Sequence, residues 1–147
     1  MKYPENWAKY GETNNVSFAP EGGVMEGRDG HGGLAYGVIM NVTKVEGNPS
    51  AANALENATQ ELIKSLQKDN PSMKMARQPG RLRLNGQPGL STYLSNESPA
   101  GGQETDWLIT VIRPEGLVSI VCVAPEKDYE KYDKTFASIL DSVRFAK

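Results

Sequence analysis

Trp107-Leu108-Ile109-Thr110-Val111-Ile112 and Leu117-Val118-Ser119-Ile120-Val121-Cys122-Val123-Ala124 are the two stretches that decide the fold. Both are rich in β-branched residues and apolar at nearly every position instead of at alternate ones, so each predicts a strand with two covered faces. Pro114-Glu115-Gly116 between them suits a tight antiparallel connection. We therefore expect a central hairpin that needs packing partners on both sides.

Two amphipathic helices are predicted to supply that packing. The first begins at Asn48-Pro49, with Asn as N-cap and Pro at the first helical position, and runs to about Lys68. The second begins at about Asp128, and its apolar side carries Tyr129, Tyr132, Phe136, Ile139, Leu140 and Val143. One helix cannot cover two faces. The pattern predicts an α+β fold, a three-layer α/β/α sandwich with a largely antiparallel sheet and two main helices, as a single domain over residues 1–147.

Shorter strands complete the predicted sheet. They are a hairpin of residues 7–10 and 16–19, then 34–42, 73–77, 81–84 and 90–94. Pro79-Gly80 and Asn85-Gly86 are each predicted to join adjacent antiparallel strands. Two loops are predicted, one over the glycine-rich residues 22–33 and one over residues 96–105, which carry Pro99, Gly101 and Gly102.

Composition excludes several classes of protein. Among 147 residues the net charge is −2 and the sequence pI is about 5.5, which argues against nucleic-acid binding because phosphate contacts need a basic face. No run approaches the roughly 18 apolar residues that span a bilayer. Residues 1–7 (MKYPENW) are too polar for a signal peptide, so a cytoplasmic location is expected if Met1 is the natural start.

The residue types that usually carry chemistry are sparse. His31 is the only histidine, in glycine-rich surroundings, and Cys122, the only cysteine, alternates with apolar residues as a buried side chain would. Residues 30–35 (GHGGLA) match the dinucleotide pattern G-x-G-x-x-A, but they precede a predicted strand, whereas that pattern requires a helix. We expect no catalytic residue, metal or cofactor in this chain. A small hydrolase using His31 is the alternative from another class.

Four polar residues are predicted to contact a partner. Arg81 and Arg83 share one face of a strand because side chains repeat every two residues, and Glu97 and Gln103 belong to the predicted 96–105 loop. Lys74 and Arg77 lie on a neighbouring predicted strand, and a small anion or an acidic partner could contact these four basic residues. A solvated strand edge, whose charges discourage aggregation, is the competing interpretation.

Seven segments spread over nearly the whole chain carry a resemblance to a known family. They are residues 3–7 (YPENW), 16–23 (VSFAPEGG), 35–38 (AYGV), 58–63 (ATQELI), 98–106 (SPAGGQETD), 111–117 (VIRPEGL) and 142–145 (SVRF). These segments resemble the C-terminal accessory region of bacterial zinc metallopeptidases, the family of the CAAX-prenyl endopeptidases and the heat-shock membrane protease. The order of strands and helices also resembles the sandwich of the PsbP and Mog proteins.

The first resemblance implies a non-catalytic domain attached to an N-terminal peptidase domain that alone holds zinc. The protein partner would be that peptidase domain or its substrate, and export becomes the expected location. The second resemblance implies the alternative, a stand-alone protein-binding module of the PsbP/Mog type that uses the 22–33 and 96–105 loops.

Overall fold

The apolar hairpin lies at the centre of an eight-stranded sheet in a computed structural model of the chain. The structure describes residues 7–12, 15–20, 24–26, 32–34, 36–45, 47–48, 51–77, 79–98 and 101–143. The strands are β1 (Trp7–Glu12), β2 (Asn15–Pro20), β3 (Val24–Glu26), β4 (Gly32–Leu34), β5 (Gly37–Thr43), β6 (Lys74–Met75), β7 (Gly80–Leu84), β8 (Gln87–Glu97), β9 (Gln103–Arg113) and β10 (Gly116–Pro125). The helices are α1 (Ala54–Asp69) and α2 (Tyr129–Asp141), with a short 3₁₀ helix, Glu126–Asp128, before α2.

The main sheet has the strand order β1-β2-β5-β10-β9-β8-β6, and β7 pairs with β8 on the same outer edge as β6. Every pairing among the described strands is antiparallel, which confirms the predicted sheet. Asn85 and Gly86 join β7 to β8 with φ angles of 49° and 85°, as expected for an Asn-Gly hairpin turn. β3 and β4 form a separate two-stranded sheet.

Alternate residues of the central strands face opposite helices. On β10, Ile120 and Cys122 pack in one cluster with Phe136 of α2, whereas Val121 packs in another with Ile63 of α1. A third cluster joins the start of α1 to β8 and β10, through Leu55, Leu90 and Leu117. The helices therefore lie on opposite faces of the sheet, and the predicted three-layer α/β/α sandwich with two main helices is confirmed.

Helix α1 begins later than the sequence predicts. It starts at Ala54 with Asn53 as its N-cap, five residues beyond the predicted Pro49, which lies outside the described residues. The preceding backbone makes i to i+3 hydrogen bonds, from Ala51 N to Asn48 O and from Ala54 N to Ala51 O, so it turns too tightly for an α-helix. The end at Asp69 agrees with the prediction.

Helix α2 agrees with its prediction. It begins at Tyr129, and its buried residues Phe136, Ile139 and Leu140 lie on the predicted apolar side. This side packs against β10 and the strands that flank it.

The glycine-rich stretch is not wholly a loop. β3 and β4 pair within it, with Met25 opposite Gly33 and Glu26 opposite Gly32. Glycine lowers strand propensity, but its backbone N–H and C=O groups still form ladder hydrogen bonds. As a result, Leu34 ends β4, and the strand predicted over 34–42 begins only at Gly37.

The prediction that Pro79-Gly80 joins two adjacent strands is wrong. β6 and β7 both pair with β8, with Met75 opposite Leu94 and Gly80 opposite Ser91. β8 is long enough to carry two short partners in line, so the connection between them runs along its edge instead of reversing.

The prediction of a loop over residues 96–105 is also wrong. β8 continues to Glu97 and β9 begins at Gln103, and these two residues are paired. The connection is short, since Ser98 N donates to Gly102 O at 2.9 Å, and Gly101 and Gly102 take φ angles of 90° and 74°. Glycine and proline identified a turn here, but not how far the two strands extend into it.

Candidate interaction surface

The four predicted partner-binding residues fall into two separate groups. Arg81 and Arg83 are exposed on β7, and Arg81 lies opposite Leu90 on the α1 side of the sheet. Arg81 Nη2 is 3.1 Å from Glu56 Oε1 of α1, and Arg83 Nη1 donates to the Gly86 carbonyl at 3.0 Å. Both arginines therefore already have partners within the chain.

Glu97 and Gln103 lie at the other end of β8, where they face each other across the β8–β9 pairing. Both are exposed, and Gln103 Oε1 accepts a hydrogen bond from Ser95 Oγ at 3.1 Å. Glu97 is seven positions along β8 from Leu90, a length of about 24 Å. Glu97 and Gln103 also lie on the α2 side, so they do not share a surface with Arg81. The partner-binding role of the four residues stays a prediction.

A stacked aromatic pair lies on the α2 side of β8 and β9. Tyr93 is opposite Trp107, which is in turn opposite Cys122, so the three share one face. The Tyr93 and Trp107 rings are nearly parallel, with centroids 5.7 Å apart and an interplanar angle of 5°. Trp107 Nε1 donates to Ser91 Oγ at 2.8 Å, which fixes the indole. Both aromatic side chains are half-buried.

Arg77 lies over the Tyr93 ring. Its Cζ is 4.6 Å from the ring centroid, within the distance at which a guanidinium is attracted to an aromatic face. This position follows from the strand arrangement. Arg77 comes two residues after β6 along the edge of β8, where Ala76 N donates to Tyr93 O at 2.8 Å. Arg77 is exposed and makes no ion pair with any described residue.

Tyr129, the first residue of α2, packs against Tyr93 from the side of the helix. Its ring meets Tyr93 edge to face, with centroids 6.5 Å apart. Its hydroxyl is buried without a hydrogen-bond partner in the described part of the chain, and burial raises the pKa of Tyr129. Burial also raises the pKa of Tyr93, against the opposing charge of Arg77. We call Arg77, Tyr93, Trp107 and Tyr129 the aromatic face.

Polar side chains continue the aromatic face toward the β8–β9 turn. Ser95, opposite Thr105, and Glu97, opposite Gln103, occupy the next α2-side positions. Ser95 and Thr105 are half-buried, while Glu97 and Gln103 are exposed, so α2 does not cover this part of the sheet. Two of the residues predicted from the sequence thus border an aromatic surface that the sequence reasoning missed.

Two carboxyl groups are buried on the opposite face of the same hairpin. Glu104 is 7% exposed and Asp106 is 3% exposed, and both occupy positions that alternate with Trp107 and so face α1. Burial, the hydrogen bond to Asp106 and its charge raise the pKa of Glu104 to about 10. Burial also raises the pKa of Asp106, partly offset by the hydrogen bond from Glu104. The Glu104–Asp106 pair therefore keeps a proton at neutral pH.

The remaining candidate chemical groups are Cys122, His31 and the glycine pattern. Cys122 is fully buried, as predicted, and burial raises the pKa of its thiol, which stays protonated. His31 lies outside the described residues, and Gly32–Leu34 of the glycine pattern forms β4 and not the start of a helix. Within the described ranges, no three His, Cys, Asp or Glu side chains are grouped so as to hold a metal ion. No described helix is long and apolar enough to cross a membrane.

Solved structures share this fold at low sequence identity. Cyanobacterial PsbP (CyanoP) from Synechocystis sp. PCC 6803 matches with a TM-score of 0.66 at 10% identity, covering 98% of this chain and 84% of that one. PA94 from Pseudomonas aeruginosa, a protein of unknown function, matches at 0.62 and 7% identity, covering 97% and 99%. LpqN of Mycobacterium tuberculosis, involved in cell envelope biogenesis, matches at 0.58 and 15% identity, covering 97% and 79%.

These matches show that the chain has a PsbP-like fold, which confirms the resemblance to PsbP at the level of fold. No protein-family model matches the chain, and no curated protein does. Identities of this size say nothing about shared ligands or activities.

Proposed function

We propose that this chain is a non-catalytic interaction module that binds a protein partner through the aromatic face, without a cofactor of its own. The observation that carries the proposal is the half-buried Tyr93–Trp107 stack with Arg77 above it, next to the exposed Glu97 and Gln103 that α2 leaves uncovered. Tyrosine, tryptophan and arginine are the residues most enriched at energetic hot spots of protein interfaces. Tyr93 and Trp107 are held by two paired strands, which lowers the entropy lost on binding.

A peptide library displayed on phage tests this proposal without a known partner. Peptides selected on the wild-type chain should lose binding to Trp107→Ala and to Arg77→Ala, by about 1–2 kcal/mol or more each for hot-spot residues. Lys68→Ala is the control, because Lys68 is an exposed cation on α1, on the opposite face of the sheet. Selected peptides that bind both aromatic-face variants as tightly as the wild type would contradict the proposal.

We further propose that the module is attached to an N-terminal zinc metallopeptidase domain, and that its partner is that domain or the peptidase substrate. The support is the resemblance of seven sequence segments to the accessory region of such enzymes. Zinc would be held by the parent domain alone. The coding sequence upstream of this segment should encode a His–Glu–x–x–His helix. Deleting the module from the parent should then change its substrate choice or activity, and unchanged proteolysis would count against the attachment.

The second candidate is a stand-alone module of the PsbP type. It is supported by the match to PA94, which spans 97% of this chain and 99% of that one. An upstream coding sequence without a zinc-binding helix would decide for this candidate.

We propose an exported location and a protein, not a nucleic acid, as the partner. The envelope role of the structural neighbour LpqN supports export. The acidic pI of about 5.5 argues against a nucleic acid as the partner. Fractionation of the source cells with an antibody to this chain tests the location, and recovery with the cytoplasmic proteins would contradict it.

A further inference from the structure

Two exposed cations flank Tyr93 on the aromatic face. Arg77 lies over the ring, and Lys74 is opposite Ser95, two residues along β8 from Tyr93 and on the same side of the sheet. Neither makes an ion pair with a described residue. A guanidinium carries five N–H donors, so Arg77 can donate to a ligand while its Cζ stays over the Tyr93 ring.

Two acidic side chains lie in the neighbourhood of these cations without pairing with them. Asp133 is on α2, and its charge adds to the effect of burial in raising the pKa of Tyr93. Glu97 is two residues beyond Ser95 on the same side of β8, diagonal to Lys74. Neither acid forms an ion pair with Lys74 or Arg77, so both cations can pair with an acidic partner next to the half-buried indole of Trp107.

We propose that the aromatic face binds an extended acidic protein segment. Carboxylates of the segment would pair with Arg77 and Lys74, and an apolar or aromatic side chain next to them would pack on Trp107. Charge-assisted hydrogen bonds to a guanidinium are among the stronger polar contacts, and the aromatic pair excludes water beside them. This inference rests on the proposed function and names the chemistry of its partner.

The test uses two fluorescein-labelled peptides and fluorescence anisotropy. One has the sequence Ser-Glu-Phe-Glu-Phe-Glu-Ser, and the other has lysine in place of every glutamate. The acidic peptide should bind and the basic one should not, and added salt should weaken binding because the charged pairs are solvent-exposed. The Lys74→Gln/Arg77→Gln variant should bind the acidic peptide about 4- to 25-fold more weakly, as expected for two exposed ion pairs of up to about 1 kcal/mol each.

The matched control is Lys64→Gln/Lys68→Gln, which makes the same change of charge at exposed positions of α1, on the opposite face of the sheet, and should leave the affinity unchanged. Equal binding of the two peptides, no binding of either, or equal loss in both double variants would overturn the inference. The proposed function fails separately. If phage-selected peptides require Trp107 but not Lys74 or Arg77, only the acidic preference is lost, and if they require none of the three, both proposals are lost.

Discussion

Asn85 Nδ2 donates a 2.8 Å hydrogen bond to the main-chain carbonyl of Val143, so the β7–β8 turn is tied to the chain two residues beyond the end of α2. The same asparagine has a φ of 49°, a left-handed conformation that only glycine, asparagine and aspartate adopt readily. One residue therefore both forms the turn and fixes the end of a helix on the sheet.

Two substitutions separate these roles. Asn85→Gly keeps the turn conformation and removes only the hydrogen bond, so we expect a loss of about 1 kcal/mol in the free energy of unfolding. Asn85→Ala loses the bond and adds the strain of a left-handed residue, about 1–2 kcal/mol more. Urea unfolding measures both, and equal stability of the two variants would show that the backbone strain contributes nothing.

Thr59 of α1 and Thr110 of β9 form a buried hydroxyl pair, with their Oγ1 atoms 2.8 Å apart. Thr59→Val should cost about 1–3 kcal/mol, because it leaves the hydroxyl of Thr110 buried without its partner. The double variant Thr59→Val/Thr110→Val should recover much of this loss, since two apolar groups of similar shape then meet. A double-mutant cycle by urea unfolding checks it, and strictly additive losses would contradict the pairing.

Gly116, at the start of β10, has a φ of 142°, and a Cβ added there would collide with the backbone carbonyl of Thr43. Gly116→Ala should therefore destabilise the protein by about 2 kcal/mol or more, since both the conformation and the contact are unfavourable. Gly80→Ala is the control, because a Cβ there meets nothing within 4 Å. Thermal unfolding should show a lower midpoint for the first variant only, and similar midpoints for both would refute this account.

The fold was predictable where local patterns agree with long-range packing. The continuous apolar runs of β9 and β10 predicted two covered faces, and Asn85-Gly86 predicted the adjacent hairpin. The start of α1 was not predictable in this way, because Asn48 and Asn53 are equally good N-caps and only the tight turns between them decide. Local propensity does not report such turns.

The aromatic face could be predicted only in part. Ser91, Tyr93 and Ser95 occupy every second position of β8, which signals an aromatic residue on an otherwise polar strand face, but the partner Trp107 is set by the β8–β9 register. Arg77 reaches the same place because β6 and β7 share one edge of β8, and nothing local indicates that arrangement. Glu104 fell within the expected 96–105 loop, although Glu104, Asp106 and Leu108 occupy every second position, which was the available signal of burial.

The buried pair of Glu104 and Asp106 makes stability depend on pH. Glu104 has an ordinary pKa of 4.5 when unfolded and about 10 when folded, so between these values the folded chain binds its proton more tightly. The unfolding free energy should then be highest near or below pH 4.5, as far as this group is concerned, and should fall as pH rises toward about 10.

Glu104→Gln replaces the proton donor with an amide that cannot ionise, so the variant should lose much less stability than the wild type between about pH 5 and pH 9. Glu97→Gln, at an exposed position of the same hairpin, is the control and should keep the wild-type dependence. Urea unfolding across this range decides it, because parallel curves for wild type and Glu104→Gln would mean that the pair does not hold its proton in the folded state.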